Sequence, residues 1–209
     1  MSDDLAAINA AVQAMSLLEL SAVALGVAYL LLAMKEKILC WYAAFLGTAL
    51  SIYIFWNVNL LMESALQIYY LMMAVYGWYQ WKYGARHQGQ LSISTWSLPM
   101  HLMAIAGVLG CSAISGYLLT ENSQAAWPYL DSFTTWGSIV TTYMVAKKVL
   151  ENWIYWLAID SISIFLYLDR QLYLYALLFM VYIVIVIFGL IAWTRHYQTQ
   201  GKSIIRHHA

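Results

Sequence analysis

Moving 112 residues along this sequence lands on the same pattern of tyrosine, glycine and tryptophan. Tyr70, Gly77 and Trp81 form a Y-x6-G-x3-W spacing, and Tyr182, Gly189 and Trp193 repeat it. The preceding segment recurs at the same offset: Trp41, Ser51 and Ile52 become Trp153, Ser163 and Ile164, and Lys35 becomes Lys147. Residues of about 15–85 and 127–197 therefore read as two copies of one unit, laid head to tail, and any fold for this chain has to hold that unit twice.

Composition decides the medium. Apolar residues make up 63% of the chain and charged residues 10%, against about 25% charge in a soluble domain. There are too few charges to solvate a surface in water, so the expected setting is a lipid bilayer. With only two prolines and no linker-like stretch, residues 1–209 read as a single membrane domain. A formal net charge of zero gives no reason to expect nucleic acid. Cys40 and Cys111 lie in apolar segments and read as packing residues. The acidic start, MSDDLAAINA, has no basic n-region and does not read as a secretory signal.

A helix crossing the hydrocarbon core needs about 20 residues. Seven segments qualify, near 15–34, 39–56, 60–82, 99–119, 125–146, 151–168 and 171–194. The second, third and sixth are rich in aromatic and polar residues, as helices lining a polar interior are. With seven spans, nine of the ten basic residues fall on one side and only Arg170 on the other. That asymmetry places the C-terminus in the cytoplasm and the N-terminus outside. Spans one to three make the first unit, and spans five to seven the second. The span at 99–119 has no counterpart. Three spans invert the chain, so one extra crossing is needed to bring the second unit in with the same orientation. The predicted fold is an all-α membrane protein with seven transmembrane helices in a 3+1+3 parallel-repeat arrangement, the kind of construction found in SWEET sugar transporters.

Span six carries the residues most suggestive of a ligand. Trp153, Trp156, Asp160 and Ser163 share one helix face. Asp160 lies roughly 12 Å from either end of the span. An ionised carboxylate at that depth costs at least about 2.5–3.5 kcal/mol unless compensated, so Asp160 faces the interior. No span has a Lys or Arg near its centre to act as counter-ion, and a cationic ligand would complete the site. A protonated or hydrogen-bonded Asp that only ties helices together is the alternative. Indole faces bind planar rings and cations, which suits Trp156 beside Asp160; Trp153 reads equally well as an anchor at the membrane edge.

Span three offers Glu63, Gln67, Tyr70, Gly77 and Trp81 along one stripe, with Gln67 and Tyr70 as candidate substrate contacts and Gly77 and Gly189 as sites of close helix packing. In span two, Trp41, Ala44, Thr48 and Ser51 hold the positions of Trp153, Trp156, Asp160 and Ser163, so the two copies are chemically unequal. Thr48 is a candidate contact, as is Tyr53 toward the outer end. Glu19 and Asp131 are also 112 apart, near the outer ends of spans one and five, and are candidates for an outer gate or for plain interfacial carboxylates. No hydrolase or redox motif is present, the histidines lie outside or at the edge of the spans, and no metal or other cofactor is expected.

The stretch Glu63–Trp81, with its YGWYQW ending, resembles the third helix of the PnuC family, and Glu151–Tyr167, with ENWxxW, resembles its sixth; the likeness extends over nearly the whole chain. The resemblance implies seven helices in 3+1+3 order with the N-terminus outside, and import of a vitamin precursor across the bacterial inner membrane by facilitated diffusion. It also implies trapping by a cytoplasmic vitamin kinase, and homotrimers. Family substrate contacts carry over to Gln67, Tyr70, Trp153, Trp156 and position 160. Nicotinamide riboside carriers usually have Asn where this chain has Asp160, and the KEKILCW run with Asp160 is more similar to the thiamine branch. The expected function is import of a cationic heteroaromatic vitamin, thiamine by preference and nicotinamide riboside as the alternative. A substrate-binding membrane subunit serving an energising partner is the rival from another class.

Overall fold

The computed structural model describes residues 15–57, 61–84, 86–87, 90–122 and 126–207, with backbone only for 61–65, 86–87, 90 and 201–207. Among the described residues seven helices are formed: α1 (Leu17–Met34), α2 (Leu39–Asn57), α3 (Leu61–Tyr83), α4 (Leu98–Asn122), α5 (Pro128–Ala146), α6 (Asn152–Asp169) and α7 (Tyr173–His207). They stand within a few residues of the expected spans, except that α7 runs on past 194 to His207. The continuation, from Thr194 onward, is polar and was not part of the apolar run, so hydropathy gave it no reason to remain helical. A two-stranded antiparallel ribbon, β1 (Arg86–His87) and β2 (Gln90–Leu91), lies between α3 and α4.

Among the described residues four helices, α1, α2, α4 and α7, are long and apolar enough to cross a membrane by length and composition alone. α3, α5 and α6 are more polar than the others. Their hydroxyls are absorbed locally: Thr141 and Thr142 each donate to the carbonyl four residues back at 2.7 Å, and Ser161 does the same. Such bonds let Ser and Thr sit in an apolar helix without an orphaned donor. The outer faces carry exposed Leu, Met and Ile, most densely on α4 (Leu102, Met103, Leu109, Ile114).

The ends of the helices explain the tight connections. α1 starts at a capping box, in which Ser16 accepts from the Glu19 amide and the Glu19 carboxylate accepts from the Ser16 amide at 2.7 Å. It stops at Glu36, whose φ of 52° is left-handed, while Lys37 N–H bonds Leu32 C=O and Glu36 N–H bonds Ala33 C=O, both at 2.9 Å. The end of α5 is built alike: Lys148 has φ 51°, Val149 N–H bonds Met144 C=O at 2.9 Å, and Lys148 N–H bonds Val145 C=O at 3.0 Å. Both are Schellman endings with a charged residue where glycine is usual. Glu36 and Lys148 are 112 residues apart.

Within each half the helices pack in sequence order, α1 on α2 and α2 on α3, α5 on α6 and α6 on α7. The halves meet through α1 with α7 and α3 with α5. α4 packs chiefly on α5, where Trp136 Nε1 donates to Ser115 Oγ at 3.1 Å.

The largest buried cluster lies at the end that gathers the α1–α2 and α5–α6 turns. Four tryptophans form a chain there: Trp41 lies edge-on to Trp81 (centroids 5.5 Å, 89°), Trp81 meets Trp193 (6.2 Å), and Trp193 meets Trp153 edge-on (5.4 Å, 86°). Trp81 Nε1 donates to Val145 C=O at 3.2 Å, and Trp193 Nε1 to Ala33 C=O at 3.1 Å. Each bond ties one half to the other. Gly77 and Gly189 make the packing possible. A Cβ on Gly189 would stand 2.6 Å from the Trp153 ring, and one on Gly77 would be closer still to Trp41. The expectation of close helix approach at both glycines holds. Over this cluster Lys148 Nζ bonds the Glu36 carboxylate at 2.7 Å and lies 4.7 Å from the Trp81 ring, while His196 bonds the second Glu36 oxygen.

Candidate functional site

The bundle holds a half-open chamber of about 260 Å³. Ala22, Gly26 and Tyr29 of α1 line it, with Trp41, Ala43, Ala44, Gly47, Thr48 and Ser51 of α2, Gln67 and Tyr70 of α3, Thr142 of α5, Trp156 of α6 and Tyr182 of α7. Eleven of these fourteen belong to the first three helices, so the chamber is hollowed into one half of the molecule. The sequence explains why. Ala43, Ala44 and Gly47 have Tyr155, Trp156 and Ile159 at the positions 112 further on. Small residues leave space on α2 where α6 fills it.

The contact at Gly47 shows the exchange in detail. Leu25 Cβ lies 3.2 Å from where a Cβ of Gly47 would be. In the other half Ile159 replaces Gly47 and leans on Gly137, the counterpart of Leu25, 3.1 Å from its would-be Cβ. Bulk has moved from α1 to α6.

The sequence candidates divide into three groups. Thr48, Gln67, Tyr70 and Trp156 come together on the chamber wall. Asp160 does not reach the wall. It is 3% exposed, one turn beyond Trp156, within electrostatic reach of Tyr182 and Tyr167, and it forms no hydrogen bond among the described residues. It faces the bundle interior, as its cost in lipid requires. Trp153 and Tyr53 lie away from the chamber. Trp153 is 1% exposed and packs on Gly189 and Trp193, while Tyr53 is exposed.

The candidate outer gate is not one contact. Glu19 caps its own helix, and Asp131 pairs with Arg170. The side chain of Glu63 lies outside the described residues. Sequence reasoning missed Tyr29, Ser51, Thr142 and Tyr182, along with the small residues that make the space. The signal that locates them is the small-for-large exchange at the 112-residue offset.

No group of three His, Cys, Asp or Glu among the described residues could hold a metal. The chemistry on offer is recognition: an indole face, three phenols, three aliphatic hydroxyls and a primary amide around a space for a compact molecule. Small-molecule pockets usually run from about 300 Å³ upward, so the chamber suits a ligand of one or two rings. Together these features define a polytopic helical membrane protein with a ligand-sized chamber inside its bundle.

The chain belongs to the PnuC family: the family profile described as "Nicotinamide mononucleotide transporter" matches residues 16–195. It is similar to the nicotinamide riboside transporter PnuC of Escherichia coli, 23% identical over 201 residues, covering 84% of each chain. It is also similar to the riboflavin/roseoflavin transporter RibM of Streptomyces davaonensis, 26% identical over 186 residues, covering 87% of this chain and 86% of that one. Among solved structures, that of the vitamin B3 transporter PnuC superposes with a TM-score of 0.69 at 18% identity, covering 86% of this chain and 81% of the other. The relatives are transporters, and this is a transporter-family protein with apolar membrane helices.

Proposed function

We propose that the protein imports nicotinamide riboside, or a close nicotinamide nucleoside, across the bacterial inner membrane by facilitated diffusion. The carrying observation is the chamber, where Trp156 offers a stacking face and Thr48, Gln67 and Tyr70 offer hydrogen bonds around a space for a small ring system. The names of the relatives favour nicotinamide riboside over thiamine, and the preference for thiamine read from Asp160 gives way to it. Thiamine stays as the second reading on one observation, the buried Asp160 without a hydrogen-bond partner, which would suit a ligand lacking ribose hydroxyls. The size of the chamber argues against the three-ring flavin as first choice.

In this proposal α1–α3 and α5–α7 are two three-helix units with α4 as the inverting link, a 3+1+3 arrangement. The matched packing of α1 on α7 and α3 on α5 supports it, since one pair becomes the other when the units are exchanged. The end holding Lys35, Lys37, Lys147, Lys148 and Arg195 faces the cytoplasm, because basic residues favour that side. Rocking of the units exposes the chamber to each side in turn. A cytoplasmic kinase consumes the imported vitamin and keeps uptake running, and a homotrimer is the expected assembly by family resemblance.

Purified protein in liposomes tests the reading. Uptake of radiolabelled nicotinamide riboside, without any partner or energy source, is the expected result. Flux of thiamine alone would promote the second reading. Binding without flux would favour the rival idea of a substrate-binding subunit.

A further inference from the structure

The chamber has a floor, and the floor is the tryptophan end. Of its lining residues on α1 and α2, Tyr29 and Trp41 stand nearest the α1–α2 turn, with ring centroids 5.9 Å apart. Trp41 is 2% exposed and belongs to the four-indole chain. A molecule leaving the chamber toward this end has to pass that layer.

Bonds between the two three-helix units close the layer. Trp81 and Trp193 each donate across to a backbone carbonyl. Glu36 supplies the rest. It follows the last turn of α1, and its two oxygens take separate partners from the other unit: Lys148 at the end of α5, at 2.7 Å, and His196 on α7. Midway along the bundle one bond crosses, from the Tyr69 hydroxyl to Ile139 C=O at 2.9 Å. At the opposite end the polar side chains bond within their own unit: Glu19 with Ser16, Asp131 with Arg170, and Trp127 with Asp169 at 2.8 Å.

The closed layer also carries features that favour its separation. Trp41 Nε1, Trp153 Nε1 and Asn152 Oδ1 are buried there with no partner among the described residues. Orphaned polar groups gain water when such a layer opens, which lowers the cost of opening. Glu36 and Lys148 both keep left-handed backbone, with φ of 52° and 51°. Strained backbone of this kind persists where its surroundings hold it, and it gathers at elements that switch. The ion pair and the indole packing hold the layer shut against these costs, and a joint so balanced can alternate between two states.

We propose that the tryptophan end is the cytoplasmic gate of the carrier in its closed state, and that Glu36 is the latch, which releases the chamber contents inward only when its bonds to both Lys148 and His196 break. The inference rests on the proposed transport reading and on the orientation given with it.

Sided labelling tests the latch. Ser51→Cys places a thiol on the chamber wall of the full chain, in right-side-out and inside-out membrane vesicles treated with a membrane-impermeant maleimide. The unsubstituted chain, which keeps Cys40 and Cys111, is the blank. The Ser51→Cys protein should label from the outer face and resist labelling from the cytoplasmic face. Adding His196→Ala removes one of the two latch bonds and leaves the Glu36–Lys148 pair intact. It should raise labelling from the cytoplasmic face about threefold to tenfold, the population shift expected from one hydrogen bond. Glu36→Gln should go further; where it does not fold, His196→Ala decides, since that side chain is 44% exposed. A merely structural histidine would lower the unfolding temperature and leave the sidedness as it was. That result, or cytoplasmic labelling as fast as outer labelling before the latch is touched, overturns the proposal. Expected sidedness without vitamin uptake in liposomes overturns the transport reading instead and leaves a gated chamber.

Discussion

The tryptophan-lined end of the molecule and its chamber are made from the same duplicated positions, and they treat the duplication in opposite ways. At the tryptophan end, the counterpart tryptophans and glycines are identical and make like contacts. Trp81 bonds Val145 while Trp193 bonds Ala33, and the two acceptors are themselves 112 apart. In the chamber the counterparts differ: Ala44 against Trp156, Gly47 against Ile159, Thr48 against Asp160, Gly26 against Ser138. The physical lesson is that packing between two like units is satisfied by like residues, whereas a site for an asymmetric ligand requires unlike ones. The indoles that join the halves stay the same, and the α2 positions that hollow the chamber diverge.

The ion pair at the tryptophan end should give the largest effect, because there the two halves meet through a bond between counterparts. Lys148 is 3% exposed, and its partner Glu36 is nearly as well buried at 13%. Glu36→Gln leaves a buried ammonium uncompensated, at a cost of about 3–5 kcal/mol, read as a large fall in thermal unfolding temperature in detergent. The exchanged double variant Glu36→Lys with Lys148→Glu should recover much of that loss. Both residues hold left-handed backbone, and a non-glycine residue there is itself costly. Glu36→Gly separates the effects by relaxing the backbone while breaking the pair. Stability lower than wild type shows that the pair outweighs the strain; stability at or above wild type would sink that view.

Glycines give the next step down. Gly77→Ala and Gly189→Ala each press a methyl into an indole and should cost about 1–3 kcal/mol, by similar amounts because the surroundings match. Gly107 on α4 has nothing within 4 Å of its would-be Cβ. There alanine should be neutral or stabilising by about 0.5–1 kcal/mol through helix propensity alone. Equal melting shifts at all three positions would mean that the indole contacts carry no weight. In the chamber, Ala44→Trp copies the counterpart residue and fills the hollow. It should weaken vitamin binding at least about tenfold, which is about 1.4 kcal/mol, with a smaller change in unfolding temperature than Gly189→Ala. A variant that binds as well as wild type would place the ligand elsewhere.

The helices were legible because apolar runs of bilayer length leave few alternatives. The polar end of α7 was not, since the fall in hydropathy at Thr194 marks where the apolar run stops and not where the helix does. Hydropathy alone also under-reads α3, α5 and α6, where Gln67, Thr141, Thr142 and Ser163 face the protein. Gln67, Tyr70, Thr48 and Trp156 were readable as interior residues, because polar and aromatic side chains at that depth need a reason. Tyr182 was not, because it carries the same letter as Tyr70 and only Gly26, opposite it, sets it apart. A cavity is defined by side chains that are missing, and Ala43, Ala44 and Gly47 are quiet in a sequence until set beside Tyr155, Trp156 and Ile159. Trp153 and Trp156 looked alike on one helix face. What separates them is Gly189, whose missing side chain draws Trp153 into the core and leaves Trp156 for the chamber.

The smallest expected loss tests the likeness of the halves most directly. Trp81 and Trp193 are 7% and 0% exposed, and each gives one indole N–H to a carbonyl of the other half. Phenylalanine keeps a ring in the cluster and deletes the donor. The acceptor left behind also serves its own helix, so the loss should be near the net value of one hydrogen bond, about 1 kcal/mol, plus the smaller ring area. Because both bonds join counterpart positions, Trp81→Phe and Trp193→Phe should lower stability alike, within about 0.5 kcal/mol. The double variant should lose less than the two singles add up to, since the contact between the two rings, 6.2 Å apart, is already broken in each single. If one single variant proves harmless and the other severe, the two halves are not joined by equal bonds, and the symmetric end is as divided in function as the chamber is.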